Sequence, residues 1–479
     1  AARIGTGLGT LYLANTLGAI AGALTAGFVL LPVLGARGGV IACSALCLLL
    51  GFAALAALRA GRRRWALAPA LPATVAVAAA FGFGAQGGDV LGDSQAPGDE
   101  VLFGAEDAVA STSVYRKSDG ELHMSVDGHH IGGTNPNVLR KEKVLAHLPM
   151  LLVPEARSIL AVGLGTGISL GSFALHPELD RLVCAEIAPG VVEGARVFAG
   201  ANRGVLDDPR VRIRVEDGIQ HLLVHDDRYD VICSDSKLNP EFVGNAAILS
   251  RDYYALARSR LNAGGVFVQW LPVHLPLDEI RLTVRTLADV FPAVSLIWYE
   301  PTNLLLVGSE EPPEIRADAV RAALQHPELR EELEALDLAD PCLLASMPEL
   351  SGDRLRAALG SGPVNSWARP RLEFTVVRAG FGERRSELEH RTLQWIRDAG
   401  PGALRLADAP DPERLARFRA SAAKLLEGYS APGGAVHPAT GTAAFLAGLR
   451  ANPEDVRLQR VVRYLERRSA AAATGRSDG

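Results

Sequence analysis

The stretch Ser158-Ile-Leu-Ala-Val162-Gly163-Leu-Gly165-Thr-Gly167-Ile168 decides the fold of the larger part of this chain. Its first five residues are an apolar run typical of a buried parallel strand, and residues 168–175 have the spacing of a helix. The three glycines between them allow a sharp backbone turn and a close approach of a ligand to the start of the helix. The stretch therefore predicts the glycine turn of a nucleotide-binding α/β sheet.

Each of the next three predicted strands ends in an acidic residue. Residues 182–185 end at Glu186, residues 211–215 at Glu216-Asp217-Gly218, and residues 229–234 at Asp235. Glu186 follows the glycine turn by roughly 20 residues, the distance at which an acid can accept hydrogen bonds from ribose hydroxyls. The carboxyl ends of parallel strands meet at one edge of the sheet, where ligands bind. Together the acids predict a binding site, although each alone is equally compatible with a solvated loop.

The rest of the chain is predicted to surround this sheet with four other segments. The predicted order is membrane helices (1–84), a Gly/Asp/Pro-rich linker (85–100), a β-hairpin module (101–150), the sheet domain (151–312) and a mostly helical region (313–479). The turn signals Ser118-Asp-Gly120 and Asp127-Gly128 indicate the hairpins. A closing hairpin over residues 294–307 is typical of the methyltransferase-type, Rossmann-like, doubly wound fold rather than of an NAD-binding one.

Residues 1–84 are expected to span a membrane more than once. Three runs without charge, 4–36, 38–58 and 65–88, each reach the roughly 20 residues that a spanning helix needs. The arginines at 59–64 predict a cytoplasmic loop after the second run. If the third run also spans the membrane, the later domains lie outside the cell. Pro69 and Pro72 make this run the weakest candidate for a span, and if it does not cross, the later domains are cytoplasmic. Because the chain starts with Ala1, we expect it to be part of a longer or processed protein.

Charge separates the two ends of the chain and excludes one class of partner. Residues 1–88 contain six arginines and no acid, so the remaining residues carry a net charge of −11 within the total of −5. This acidity argues against nucleic-acid binding, which depends on clustered Lys and Arg. No Walker lysine follows the glycine turn, which disfavours phosphate transfer. The sequence lacks a Cys or His spacing typical of a metal site, and we expect no metal.

Several motifs resemble those of the spermidine synthase (polyamine aminopropyltransferase) family, in particular a membrane-fused bacterial branch with transporter-like helices. They are His147-Leu-Pro-Met150, the turn at Gly163, Asp208-Pro-Arg-Val211, Asp217-Gly218, Tyr229-Asp-Val-Ile232 and Gly264-Gly-Val-Phe-Val-Gln269. Their order and spacing are similar to those of the synthase domain. The resemblance implies a Rossmann-like domain that binds decarboxylated S-adenosylmethionine, in a multi-pass protein of the inner (cell) membrane.

The resemblance also implies a role for each candidate residue. The glycines of the turn, Gly163, Gly165 and Gly167, would face the amino-acid-derived arm of the cofactor, Glu186 its ribose, and Asp217 with Gly218 its adenine. Asp235 matches the first Asp of the family's Asp-Ser-Ser-Asp-Pro motif, which helps to deprotonate the attacking amine. A carboxylate suits this chemistry because an ammonium must lose a proton before it can attack.

The chain departs from that motif at the side of the acceptor. It reads Asp235-Ser-Lys-Leu-Asn-Pro240, so the second acid is replaced by Leu238 or Asn239 and a cation, Lys237, enters. Two alternatives therefore stay open: an S-adenosylmethionine-dependent methyltransferase, and a non-catalytic nucleoside-sensing membrane or transporter protein. The expected partners are a small amine or other acceptor, the membrane and, through residues 313–479, a further copy in a homo-oligomer.

Overall fold

The computed structural model describes residues 2–57, 98–107, 109–235, 245–374, 385–408, 411–432 and 438–473. They group into two compact units. The first comprises residues 1–135 with 188–198, and the second comprises residues 136–187 with 199–479. The predicted third membrane run (65–88), most of the predicted linker and Lys237, Leu238 and Asn239 lie outside the described residues.

The first unit begins with apolar helices. α1 spans Ala2–Thr25, a π-helical turn spans Ala26–Leu30, and α2 spans Leu31–Ala57 with a kink at Gly35. Among the described residues one helix, Gly7–Leu30, is long and apolar enough to cross a membrane, with a mean hydropathy of 1.6. Its length of about 36 Å exceeds the roughly 30 Å of a bilayer core. The second predicted span contains only a shorter apolar helix, Gly38–Leu48, which covers about 16 Å.

The first unit also contains a four-stranded antiparallel sheet with the order β1-β2-β3-β4. The strands are β1 (Glu100–Glu106), β2 (Ser111–Arg116), β3 (Leu122–Val126) and β4 (His129–Gly133). The predicted hairpins are thus present, but the module ends before residue 150. Residues 136–152 form a helix, α3 (Pro136–Leu152), whose side chains Val144, Leu145 and Leu148 are fully buried in the second unit.

The second unit is built on a nine-stranded sheet with the order β14-β13-β10-β11-β9-β8-β5-β6-β7. Its strands are β5 (Ser158–Val162), β6 (Arg181–Glu186), β7 (Val211–Val215), β8 (Tyr229–Ser234), β9 (Leu261–Pro272), β10 (Ala293–Glu300), β11 (Asn303–Ser309), β13 (Pro348–Ser351) and β14 (Gly402–Ala403). A separate parallel pair joins β12 (Glu314–Arg316) to β15 (Arg405–Ala407).

The strand order confirms the predicted doubly wound α/β sheet. Strands β7, β6, β5, β8 and β9 are parallel, and the order reverses between β5 and β8. β11 and β10 then follow as the predicted antiparallel hairpin. β5 and β8 are central strands with fully buried residues such as Ile159 and Ile232, which explains their continuous apolar sequence.

Helices complete the second unit. After α3 the chain forms α4 (Ile168–Phe173), α5 (Pro189–Ala195, in the first unit), α6 (Gly218–Val224), α7 (Arg251–Ser259), α8 (Leu277–Ala288), α9 (Ala317–Ala323), α10 (Pro327–Ala335), α11 (Pro341–Leu344), α12 (Gly352–Leu359), α13 (Arg385–Asp398), α14 (Pro412–Tyr429), α15 (Thr442–Ala451) and α16 (Val456–Ala473).

The region after residue 312 is mostly helical, as predicted, but it is not separate from the sheet. Leu350 of β13, Ile396 of α13 and Phe445 of α15 belong to the same buried cluster as the sheet residues Leu160 and Phe267. The short strands of this region were not predicted, because two to four residues are too few for a recognisable alternation of apolar and polar side chains. The predicted boundary at residue 312 therefore does not separate two cores.

Candidate active site

The glycine turn after β5 has the conformation that its sequence requires. Gly163, Gly165 and Gly167 have φ values of 95°, 52° and 77°, in the left-handed region that other residues rarely adopt. No atom of the described residues lies within 4 Å of the position of a Cβ at Gly165, and at Gly163 the nearest is the carbonyl oxygen of Asp235 at 3.8 Å. The turn thus leaves open space beside its backbone.

Glu186 lies beside this turn at the end of β6. Its side chain is buried, and its Oε2 accepts a hydrogen bond of 2.9 Å from the N–H of Leu164. A second bond links the same two strand ends, since the N–H of Gly163 donates to the carbonyl of Ala185 at 2.9 Å. The carboxylate therefore orders the backbone of the turn, in addition to the role implied for it by the resemblance.

Asp217 and Gly218 connect β7 to α6. The Oδ1 of Asp217 caps the helix by accepting from the N–H groups of Ile219 at 2.8 Å and Gln220 at 3.0 Å. A Cβ at Gly218 would lie 2.5 Å from Cγ1 of Val162, so only glycine lets α6 begin against the end of β5. The pair lies at the predicted edge of the sheet, and the capping role is an addition to the sequence interpretation.

Asp235 reaches the same edge from β8. Its N–H donates to the carbonyl of Val162 at 3.3 Å, which holds it next to the glycine turn. The structure therefore brings together all the predicted site residues: the turn after β5, Glu186 after β6, Asp217 and Gly218 after β7, and Asp235 after β8.

A lysine that the sequence analysis missed binds Asp235. Lys141 of α3 donates from Nζ to both carboxylate oxygens of Asp235, at 3.0 and 2.9 Å. Nζ also lies 4.5 Å from the ring centroid of Trp270. Burial acts to lower the pKa of Lys141, but the carboxylates of Asp235 and Glu142 outweigh it, so the pKa is raised and the lysine is charged. The proposed base is thus already paired with a buried cation.

The position of Lys141 explains why it is buried. It lies four residues before Leu145 and seven before Leu148, on the apolar face of α3. Its neighbour Glu142 is also buried and accepts a hydrogen bond of 2.7 Å from the hydroxyl of Thr166 in the glycine turn. One helix, α3, thus contacts both the glycine turn and the carboxylate of Asp235. The sequence signal that could have identified Lys141 is the position of a lysine on the apolar face of a helix.

Comparison with known proteins gives a consistent result for this part of the chain. Residues 139–303 match the family model of the spermine/spermidine synthase domain. Polyamine aminopropyltransferase 1 of Pseudomonas aeruginosa is 32% identical over 171 residues, which cover 35% of this chain and 58% of that protein. The polyamine aminopropyltransferase of Serratia proteamaculans is 34% identical over 174 residues, 36% of this chain and 60% of that protein. The chain thus spans somewhat more than half the length of these curated relatives.

Among solved structures, a probable spermidine synthase from Corynebacterium glutamicum aligns with 57% of this chain and 97% of its own, with 16% identity and a TM-score of 0.40. Spermidine synthase from Thermotoga maritima aligns with 44% of this chain and 73% of its own, with 22% identity and a TM-score of 0.38. At these values the likeness carries no argument about the site.

Proposed function

Because the chain carries a domain of the spermidine synthase-like family over residues 139–303, we propose that it is a transferase that moves an aminopropyl group from decarboxylated S-adenosylmethionine to an amine acceptor. One observation carries the proposal: the open glycine turn, Glu186, Asp217 and Asp235 follow four adjacent parallel strands and meet at one edge of the sheet. Ligands of open α/β sheets bind at this edge, next to the point where the strand order reverses.

The residues fit a nucleoside that carries a charged side arm. A ligand can approach the backbone at Gly165 closely. The carboxylates of Glu186 and Asp217 supply acceptors for hydroxyl and amine groups. Bound decarboxylated S-adenosylmethionine would supply an electrophilic carbon on a sulfonium. Asp235 would hold the acceptor and take a proton from its nitrogen onto a carboxylate oxygen, which would free the lone pair to form a bond to that carbon while the carbon–sulfur bond breaks and a neutral thioether leaves.

Lys141 sets a condition on this step. An acceptor ammonium that reaches Asp235 has to share the carboxylate with the Nζ of Lys141, which already donates to both of its oxygens. Lys141 is therefore a competitor of a cationic acceptor, because its charge compensates the carboxylate and repels a second ammonium, which reduces the affinity for the amine. The ion pair between Lys141 and Asp235 also favours the second candidate, a methyltransferase. Because the lysine compensates the charge of the carboxylate, Asp235 suits an uncharged acceptor better than an amine.

The membrane part of the proposal rests on α1. We propose that Gly7–Leu30 anchors the protein in the cell membrane, since its 24 residues carry no charge, are apolar on average and are not buried within the fold. A multi-pass arrangement with a cytoplasmic synthase domain remains the extended form of this proposal. Reporter fusions placed after residues 36 and 98 would separate the two forms: both fusions report the same side of the membrane if Gly7–Leu30 is the only span, and opposite sides if one further segment crosses between them.

Calorimetry on the full chain in a mild detergent tests the enzymatic proposal. The ligands are decarboxylated and ordinary S-adenosylmethionine, each with and without putrescine. Tighter binding of the decarboxylated form, increased by putrescine, supports aminopropyl transfer, and preference for the ordinary form supports methyl transfer. Absence of binding by either would refute both enzymatic candidates. An Asp235→Asn variant with full turnover would refute the assignment of the base.

A matched pair of glycine variants separates the ligand contact from backbone strain. Gly165 and Gly204 both have positive φ values, 52° and 62°, and neither has a described atom within 4 Å of a Cβ position. Alanine at either position therefore strains the backbone alike. We expect Gly165→Ala to weaken nucleoside binding and Gly204→Ala to leave it unchanged.

A further inference from the structure

Three side chains that can ligate a metal lie together beside the proposed site. Nδ1 of His221 is 2.7 Å from Oε1 of Glu216, and Nε2 of His225 is 3.3 Å from the same oxygen. One ligating atom from each residue falls within 4.8 Å of the other two. Glu216 follows β7, and the histidines, four residues apart, lie on one face at the end of α6.

These separations are close to those of a tetrahedral site. Zinc bonds to histidine nitrogen and carboxylate oxygen are about 2.0–2.2 Å long, so two ligands at tetrahedral corners lie about 3.3–3.6 Å apart. The distance between His225 and Glu216 already has this value. The shorter distance between His221 and Glu216 is a hydrogen bond, and an ion would replace its proton after a shift of about half an ångström.

His221 is oriented as metal-binding histidines are. Its Nε2 pairs with the hydroxyl of Tyr229 at 2.8 Å, which leaves Nδ1 facing Glu216 and His225. Such a partner for the second ring nitrogen fixes the tautomer and the ring plane of a ligand. The nearby Asp227 is bonded to Arg181 at 2.6 Å, so the charge of this arginine is compensated by an acid outside the cluster.

Burial is also suited to an exchangeable ion. The side chain of His221 is 2% exposed, whereas those of Glu216 and His225 are each 29% exposed. An ion therefore reaches the cluster from solvent and binds against a buried, ordered ligand. Three protein ligands leave a fourth position for water.

We propose that Glu216, His221 and His225 form a zinc-binding site that links the end of β7 to the middle and the C-terminal end of α6. Two imidazoles with one carboxylate suit a borderline ion such as Zn²⁺ better than Mg²⁺, which prefers oxygen ligands. Glu216 immediately precedes Asp217, and His225 is the residue at which α6 ends. The ion would thereby stabilise the turn that carries Asp217. This site is independent of the transferase proposal.

Zinc titration of the full chain tests the site. The protein is purified in detergent, treated with EDTA and titrated calorimetrically with ZnCl₂ or MgCl₂ in the absence of nucleoside. We expect one zinc per chain from this site and at least tenfold weaker binding of magnesium. Glu216→Gln and His225→Ala, chosen because both side chains are partly exposed, should each weaken zinc binding at least tenfold.

His326→Ala is the matched control, since His326 is exposed and lies outside the cluster. It should leave the zinc affinity unchanged. Addition of CoCl₂ provides a second readout, because a tetrahedral Co²⁺ site absorbs visible light and the two variants should lose this band. Unchanged zinc affinity in both variants, an equal loss in the control, or absence of zinc binding by the parent chain would overturn the proposal.

Discussion

Replacement of Asp235 by Asn should destabilise the protein because it isolates a buried lysine. Lys141 is 6% exposed, and its Nζ donates hydrogen bonds to both carboxylate oxygens of Asp235. Asparagine has a similar shape but no charge, so the ammonium would keep its burial and lose its main counter-charge. Removal of one partner of a buried ion pair costs about 3–5 kcal/mol.

The expected cost lies at or below the lower end of that range. The side chain of Asp235 is 21% exposed, and Lys141 keeps Glu142 and the face of Trp270 as compensating partners. A desolvated cation over a ring contributes about 2 kcal/mol. We therefore expect Asp235→Asn to lower the free energy of unfolding by about 2–3 kcal/mol. Lys141→Met keeps a long, unbranched side chain on the apolar face of α3 and should cost about 1 kcal/mol.

The pH dependence of the free energy of unfolding is an independent test of this ion pair. In the parent chain the pKa of Lys141 is raised, although burial alone would lower it. The stabilisation by the pair is therefore complete below the unfolded pKa of about 10.5 and is lost as pH rises through the higher folded value. Without Asp235, burial prevails and the folded pKa falls below the unfolded one. The stability of Asp235→Asn relative to the parent should then rise as pH increases from 7 towards 10.

Denaturant unfolding of the full chain, followed by tryptophan fluorescence at several pH values, measures these quantities. The decisive comparison is a double-mutant cycle. Addition of Lys141→Met to Asp235→Asn removes the unpaired charge, so the double variant should be about 1–2 kcal/mol more stable than Asp235→Asn alone. A double variant less stable than Asp235→Asn would refute the reasoning.

Three further results are expected from denaturant unfolding. Asp217→Ala should lose about 1 kcal/mol with the helix cap, whereas Asp217→Asn, which can still cap, should keep its stability and change only nucleoside binding. Gly218→Ala should lose about 1–3 kcal/mol from the clash with Val162. The pKa of Glu332 is strongly lowered: burial would raise it, but bonds from His147 and its other partners prevail. The stability that ionised Glu332 contributes should therefore be lost progressively as pH falls below about 4.5. In Glu332→Gln, the free energy of unfolding should depend less steeply on pH in this acid range.

The sequence was sufficient for the parts of the site that depend on local backbone chemistry. The glycine turn at Gly163 and the acids that end the strands can each be recognised from a few consecutive residues. The parallel sheet then brings them to one edge. Lys141 was not predicted because its partner is 94 residues away. The contact exists only after α3 has packed on the sheet.

The proposed zinc site illustrates a different limit. The expectation of no metal rested on Cys and His spacings, and it did not consider that His221 and His225 have the four-residue spacing of one helix face. A third ligand, Glu216, becomes apparent only when the helix folds back beside the strand from which it starts. The first two could have been found by a helical projection of residues 218–225.

The pairing of β13 with β10 has a practical consequence for attempts to shorten the protein. β10 is bonded to β11 on one side and to β13 on the other, so a gene that stops at residue 312 would leave the row of amides and carbonyls along β10 open. It would also uncover apolar side chains that α13 and α15 normally shield. An open, apolar border of this kind attracts other chains and promotes aggregation. The smallest stable fragment of the second unit should therefore retain the polypeptide through α16.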